Sequence, residues 1–151
     1  MAKKKEIKKH RLPKHDVIRV FEGFAGYGGA SFGLKRSRLN YKVIGMSEFN
    51  PFASELLAAN FPGIKNWGDI TKINPKELPD FDLFTGGFPC QPFSSAGMQM
   101  GEEDRYGRGT LFYEIMRILR EKRPRYLLLE NVKGFTAKKF EPTRNRIKEI
   151  R

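Results

Sequence analysis

A change of period that repeats along the chain limits its fold more than any other feature. A short run of β-branched and apolar residues gives way to a turn rich in Gly, Asn or Pro, and apolar residues at helical spacing follow. The first unit is VIRVF (Val17 to Phe21), then the glycine-rich GFAGYGG, then a helical pattern through Leu34. The second is YKVIGM (Tyr41 to Met46), ending in SEFNP, where Asn50 is placed to cap a helix with Pro51 at its first position. That helix, PFASELLAAN, is expected to put Phe52, Leu56 and Leu57 on one face. A third, weaker strand is expected before GDI (Gly68 to Ile70), and a fourth in FDLFT (Phe81 to Thr85). In GTLFYEIMRILREKRP, Leu111, Ile115, Ile118 and Leu119 recur at helical spacing and Pro124 closes the helix. RYLLLENV then reads as a fifth, buried strand, and TAKKFEPTRNRIKEIR as one more helix.

Strands alternating with helices imply βαβ crossovers, hence an α/β fold with a largely parallel sheet, and 151 residues suit one such domain. In these sheets ligands bind beyond the carboxyl ends of the strands. That rule gathers five separate segments on one rim: the glycine loop after the first strand, Glu48 after the second, Asp69 after the third, Cys90 after the fourth and Glu130 ending the fifth. The one cysteine excludes an internal disulfide, and the two histidines, His10 and His15, give no zinc spacing, so no metal is expected. No apolar run reaches membrane-spanning length, and the lysine-rich start has no apolar stretch behind it, so a soluble, cytoplasmic chain is expected. The net charge of +12 is uneven, with residues 1–15 forming a basic tail; it points to a polyanion, nucleic acid before a membrane surface.

FAGYGG lets the chain turn sharply and lets a ligand approach backbone that a Cβ would shield. Taken alone, this loop is compatible with dinucleotides, nucleotides, S-adenosylmethionine or a plain tight turn. There is no lysine after the glycines to cradle a triphosphate. A carboxylate at the end of the second strand suits ribose hydroxyls, and Asp69 suits an adenine amino group with Ile70 over the ring; for each acid taken singly a surface or helix-capping role is the commoner explanation, and the case rests on their joint placement.

Four blocks, FAGYGG, GGFPCQPFSSAG, RGTLF and ENV, in this order and at these spacings, resemble those of DNA (cytosine-5) methyltransferases from about Val17 to Phe135. The resemblance implies a Rossmann-like methyltransferase fold, S-adenosylmethionine as cofactor and double-stranded DNA as partner, in a prokaryotic or phage setting. It makes Cys90 the nucleophile that adds, as thiolate, to carbon 6 of a flipped cytosine, and Glu130 the group donating at ring nitrogen 3, with a pKa raised by partial burial. Phe24, Gly26, Gly28, Gly29, Glu48, Asp69, Ile70 and Leu111 would hold the cofactor. Pro89, Gln91, Ser94, Arg108 and Asn131 would face the substrate, with Asn131 orienting the loop around Glu130. Two departures stand out. Gly23 replaces a leucine usual in relatives, which is expected to loosen the end of the first strand. The arginine-rich block, recognition region and closing helix that follow ENV in relatives are not in this sequence, so residues 16–151 are read as a partial catalytic domain with YLLLE near an open sheet edge. A complementary polypeptide is expected to supply the remainder; the alternative is an inactive fragment that keeps cofactor or DNA binding.

Overall fold

The computed structural model describes residues 17–89, 110–136 and 138–150. Among these residues four parallel strands, β1 (Ile18–Gly23), β2 (Tyr41–Ser47), β3 (Leu83–Gly87) and β4 (Tyr126–Glu130), form one sheet in the order β2-β1-β3-β4. The order reverses about β1, so its carboxyl end, flanked by β2 on one side and β3 on the other, is the topological switch point where such sheets open a crevice. Among the described residues four helices accompany them: α1 (Gly29–Lys35), α2 (Pro51–Asn60), α3 (Leu111–Lys122) and α4 (Glu141–Asn145).

Register sorts side chains between the two faces. Glu22, Thr85 and Leu128 are partners across β1, β3 and β4 and share the face on which α1 lies, where Ile18, Val20, Leu34 and Leu83 form a small cluster. Phe21, Phe84 and Leu127 share the other face, over which α3 packs Phe112, Ile115, Met116, Ile118 and Leu119. Each of those five α3 residues is almost wholly buried, and at about 1.5–3 kcal/mol per large apolar side chain this face carries most of the hydrophobic stabilisation. The β1–β2 pairing contains one irregularity: Val20 opposes Val43, but Phe21 opposes Gly45, leaving Ile44 as an extra residue on β2.

Several expectations need correction. The segment before Gly68 makes only an isolated bridge, Asn66 to Met46, instead of a strand. It runs between Gly63 (φ 84) and Gly68 (φ 71), and left-handed glycines so close together leave no room for a ladder. On α2 only Leu57 is buried, while Phe52 and Leu56 are 80% and 51% exposed. At 100° per residue Leu57 lies far round the helix from Phe52, and it alone reaches the Ala25, Val43 and Met46 cluster. Among the described residues β4 is an edge strand with Leu128 55% exposed, not a buried one, as the expectation of an open edge there had it. The last segment is not one helix: α4 makes a single turn, with Pro142 in its first turn, and is flanked by 3₁₀ turns. Gly23 does not loosen β1: it pairs with Ser47 and Gly86 on either side, and a Cβ there would meet Phe84 Cζ at 2.8 Å, so the Phe84 ring fills the space.

Candidate nucleoside and base site

Two adjoining cavities open at the carboxyl ends of the strands. The smaller, about 270 Å³, is lined by Phe24, Ser47, Glu48, Phe49, Gly68, Asp69, Ile70, Pro89 and Leu111. Phe24 leaves β1 in the left-handed region (φ 53), which turns its ring toward this space at a cost of about 1–2 kcal/mol for a residue with a Cβ. Glu48 follows β2. One carboxylate oxygen accepts from the Gly26 amide (2.8 Å) and the other from the Asn50 amide (2.8 Å). Each oxygen retains a lone pair for a ligand hydroxyl. The glycine loop is thus tied to the same carboxylate that was expected to receive ribose.

Asp69 caps the 3₁₀ turn Ile70–Lys72, accepting from the Thr71 amide (3.0 Å) and hydroxyl (2.8 Å) through Oδ1. The Thr71 hydroxyl holds this carboxyl below the usual range, with Lys72 adding its charge at 3.6 Å from Oδ2. The capping explanation therefore holds, and Oδ2 remains for a ligand. From α3, Arg117 fixes this turn by donating to the carbonyls of Ile73 (2.6 Å) and Ile70 (3.0 Å). Ser47 Oγ donates to the Gly68 carbonyl (2.7 Å), joining the end of β2 to the same turn.

The larger cavity, about 790 Å³, lies between the glycine loop and the ends of β3 and β4; Gly26, Gly29, Gly87, Glu130 and Asn131 are among its lining residues. Gly87 and Glu130 are register partners, and Glu130 Oε2 lies where a Cβ on Gly87 would be 3.1 Å away. Glu130 is exposed, so the partial burial expected for it is not present. Asn131 donates to the Phe88 carbonyl (2.9 Å) and accepts from the Val132 amide (2.9 Å). Pro89 lies on the wall of the smaller cavity beside Leu111. Gly28 lines neither space; its α-carbon faces the Phe61 ring. Cys90, Gln91, Ser94 and Arg108 lie outside the described residues.

Three contributors escaped the sequence. Phe49 is 75% exposed on the cavity wall, an aromatic ring available for stacking. Its signal was its place directly after Glu48. Arg117 gave no signal, being one of many basic residues on an amphipathic helix. Glu22, buried in the larger cavity's wall, accepts from the amides of Ala30 (3.0 Å) and Ser31 (3.0 Å) and from the Ser31 hydroxyl (2.5 Å), anchoring the start of α1. Burial raises its pKa, and the Ser31 and Ala30 bonds oppose the rise.

The lining of the smaller cavity suits a nucleoside: two aromatic rings, Phe24 and Phe49, carboxylates with free lone pairs, and a volume just under the ~300–1,000 Å³ typical of drug-sized ligand pockets. The family model of C-5 cytosine-specific DNA methylases matches residues 18–150, and the chain belongs to that family. Over 149 residues it is 43% identical to the type II methyltransferase M1.ScrFI of Lactococcus lactis subsp. cremoris, covering 96% of this chain and 37% of that one. It is 44% identical to the type II methyltransferase M.HhaI of Haemophilus parahaemolyticus over 120 residues, covering 80% of this chain and 35% of that one. It is also 44% identical to the orphan methyltransferase M.Rho11sI of Bacillus phage rho11s, covering 78% and 23%. The solved structure of the S. pombe Dnmt2 methyltransferase matches with a TM-score of 0.70 at 27% identity, over 89% of this chain and 41% of that one. The chain thus spans about a quarter to just over a third of the length of these curated relatives.

Proposed function

We propose that this chain carries the nucleoside-binding and nucleophile-bearing part of a DNA (cytosine-5) methyltransferase, which methylates carbon 5 of a cytosine flipped out of double-stranded DNA. The observation that supports this most directly is the convergence of Phe24, Phe49, Glu48 and Asp69 on one cavity that adjoins a second containing Glu130. When bound, S-adenosylmethionine supplies an electrophilic methyl group. Glu48 accepts hydrogen bonds from ribose hydroxyls through the lone pairs its oxygens keep, and Asp69 accepts from the adenine amino group through Oδ2. Phe24, Phe49, Ile70 and Leu111 cover the apolar faces of the base and exclude water.

Cys90 is the nucleophile. Its thiolate forms a bond to carbon 6 of the cytosine, and the electron pair displaced toward ring nitrogen 3 is met by a proton or hydrogen bond from Glu130. Carbon 5, made nucleophilic by that addition, would take the methyl group, whose former bonding pair stays on the donor's sulfur; loss of the carbon 5 proton to a base and departure of the thiolate then restore the ring. Asn131 holds the Phe88 carbonyl, two residues ahead of Cys90, and so keeps the loop in line with the end of β4. Gln91, Ser94 and Arg108 contact the DNA, and the net charge of +12 favours the polyanion. The open edge at β4, with Leu128 exposed, leaves room for further strands and a recognition region, which this reading assigns to a complementary polypeptide.

The test is covalent trapping. Duplex DNA carrying 5-fluorocytosine, incubated with S-adenosylmethionine, the chain and its complement, should give an adduct that survives denaturation and is lost in Cys90→Ser. No adduct, with S-adenosylhomocysteine still bound, would instead mark a chain that keeps cofactor binding without turnover.

A further inference from the structure

Where the expected third strand is missing, one side-chain amide makes the bonds that a ladder would make. Asn66 stands at the isolated bridge to Met46, and regular pairing stops there. Its Oδ1 accepts from the backbone amides of Glu48 (2.9 Å) and Gly68 (3.0 Å). Its Nδ2 donates to the Glu48 carbonyl (3.0 Å) and to Ser54 Oγ (3.1 Å). A carboxamide offers two donor hydrogens and an oxygen with two lone pairs, so this chain fills every one of its capacities. Ser54 Oγ in turn donates to the same Glu48 carbonyl (3.1 Å). Glu48 is therefore gripped at both its N–H and its C=O, and Gly68 is gripped at its N–H immediately before Asp69.

Asn66 is itself exposed, and water competes for each of these bonds, so the clasp adds little to global stability. Its effect is on placement. Glu48 and Asp69 are the two carboxylates on the small cavity; among the described residues no strand pairs across them, and the clasp acts beside the Ser47 Oγ bond to the Gly68 carbonyl. We propose that Asn66 is a positioning residue for nucleoside recognition, setting the separation of these two carboxylates by holding the backbone of Glu48 and of the Gly68 turn to one amide. The proposal rests on the nucleoside reading of that cavity.

S-adenosylhomocysteine titrated calorimetrically into wild type, Asn66→Ala, Glu48→Gln and the double variant tests it. Asn66→Ala should bind about ten-fold more weakly, with the losses in the double variant less than additive, because part of the effect of Asn66 passes through Glu48. In the unliganded proteins, hydrogen exchange at the Glu48 and Gly68 amides should quicken in Asn66→Ala, while the core amides of α3 keep their protection. Asn66→Asp keeps the acceptor but loses both donors and faces a carbonyl, so it should bind no better than Asn66→Ala. Wild-type affinity in Asn66→Ala, additive losses in the double variant, or unchanged exchange overturns the proposal and leaves the nucleoside reading standing. Failure of the wild type to bind overturns both.

Discussion

Gly28→Ala and Gly26→Ala add the same methyl group two residues apart in the same loop, and the structure assigns them different costs. Both glycines are left-handed, with φ of 92° and 55°, which costs an L-residue about 1–2 kcal/mol. A Cβ on Gly26 meets nothing within 4 Å, whereas one on Gly28 would lie 2.1 Å from Phe61 Cε2 and 2.8 Å from Cζ. The Phe61 ring is packed against Phe32 with centroids 5.1 Å apart, so it cannot swing clear without losing that contact, and relief adds about 1–3 kcal/mol. Gly26→Ala should therefore lose about 1–2 kcal/mol and Gly28→Ala about 2–5 kcal/mol. Urea unfolding followed by the fluorescence of Trp67, the single tryptophan, measures both. Adding Phe61→Ala removes the obstacle but not the backbone strain. The double variant Gly28→Ala/Phe61→Ala should therefore be more stable than the sum of the single losses by the clash component. Equal losses for the two glycines, or no coupling to Phe61, would refute this account of the loop.

Phe24→Asn substitutes a residue that tolerates left-handed backbone for the ring on the cavity wall. Stability should change by less than about 1 kcal/mol in urea while S-adenosylhomocysteine binding weakens about ten-fold; parallel losses of both would make Phe24 a core residue only. Glu22 and Asp82 should respond to pH with opposite signs. Burial raises Glu22, so the stability it contributes is full below its unfolded pKa of about 4.3 and is lost as pH rises through its folded value; Glu22→Gln should remove that decline from Tm measured between pH 4 and 8. The two-pronged bond from Arg19 lowers Asp82, whose contribution is present above about pH 3.9 and lost as pH falls through the folded value. Because Arg19 is half exposed, Asp82→Asn should cost only about 0.2–1 kcal/mol at neutral pH, and nothing once wild type is fully protonated.

Much of this architecture was readable because strand and helix leave different periods. The β-branched run at Val17 and the Asn50–Pro51 start of α2 depend on local chemistry, and both elements stand within two residues of where the pattern put them. The rim was readable from topology, since every strand of a parallel sheet ends on the same side. What failed depended on neighbours. KNW before Gly68 had too few residues between its glycines to extend its one bridge into a ladder. Phe52 and Leu56 resembled a buried face until the crossing of α2 chose Leu57 alone. Phe84 compensates for Gly23 from another strand, and no local pattern announces that. The clasp of Asn66 on Glu48 was equally hidden, because an asparagine in a polar loop looks like any turn residue.

The extra residue on β2 makes its length a counted quantity. Because Ile44 interrupts the phase between Val43 and Gly45, the alternation of Tyr41 to Ser47 is tuned to deliver Glu48 to the rim with its carboxylate on the loop side. Deleting one residue there would draw the acid back by about 3.3 Å and swing it to the opposite face of the sheet. The turn at Ser37–Asn40, by contrast, can gain or lose residues without shifting that count. Insertion scanning across residues 36–48 would therefore find a sharp boundary at Tyr41, tolerant before it and intolerant after it.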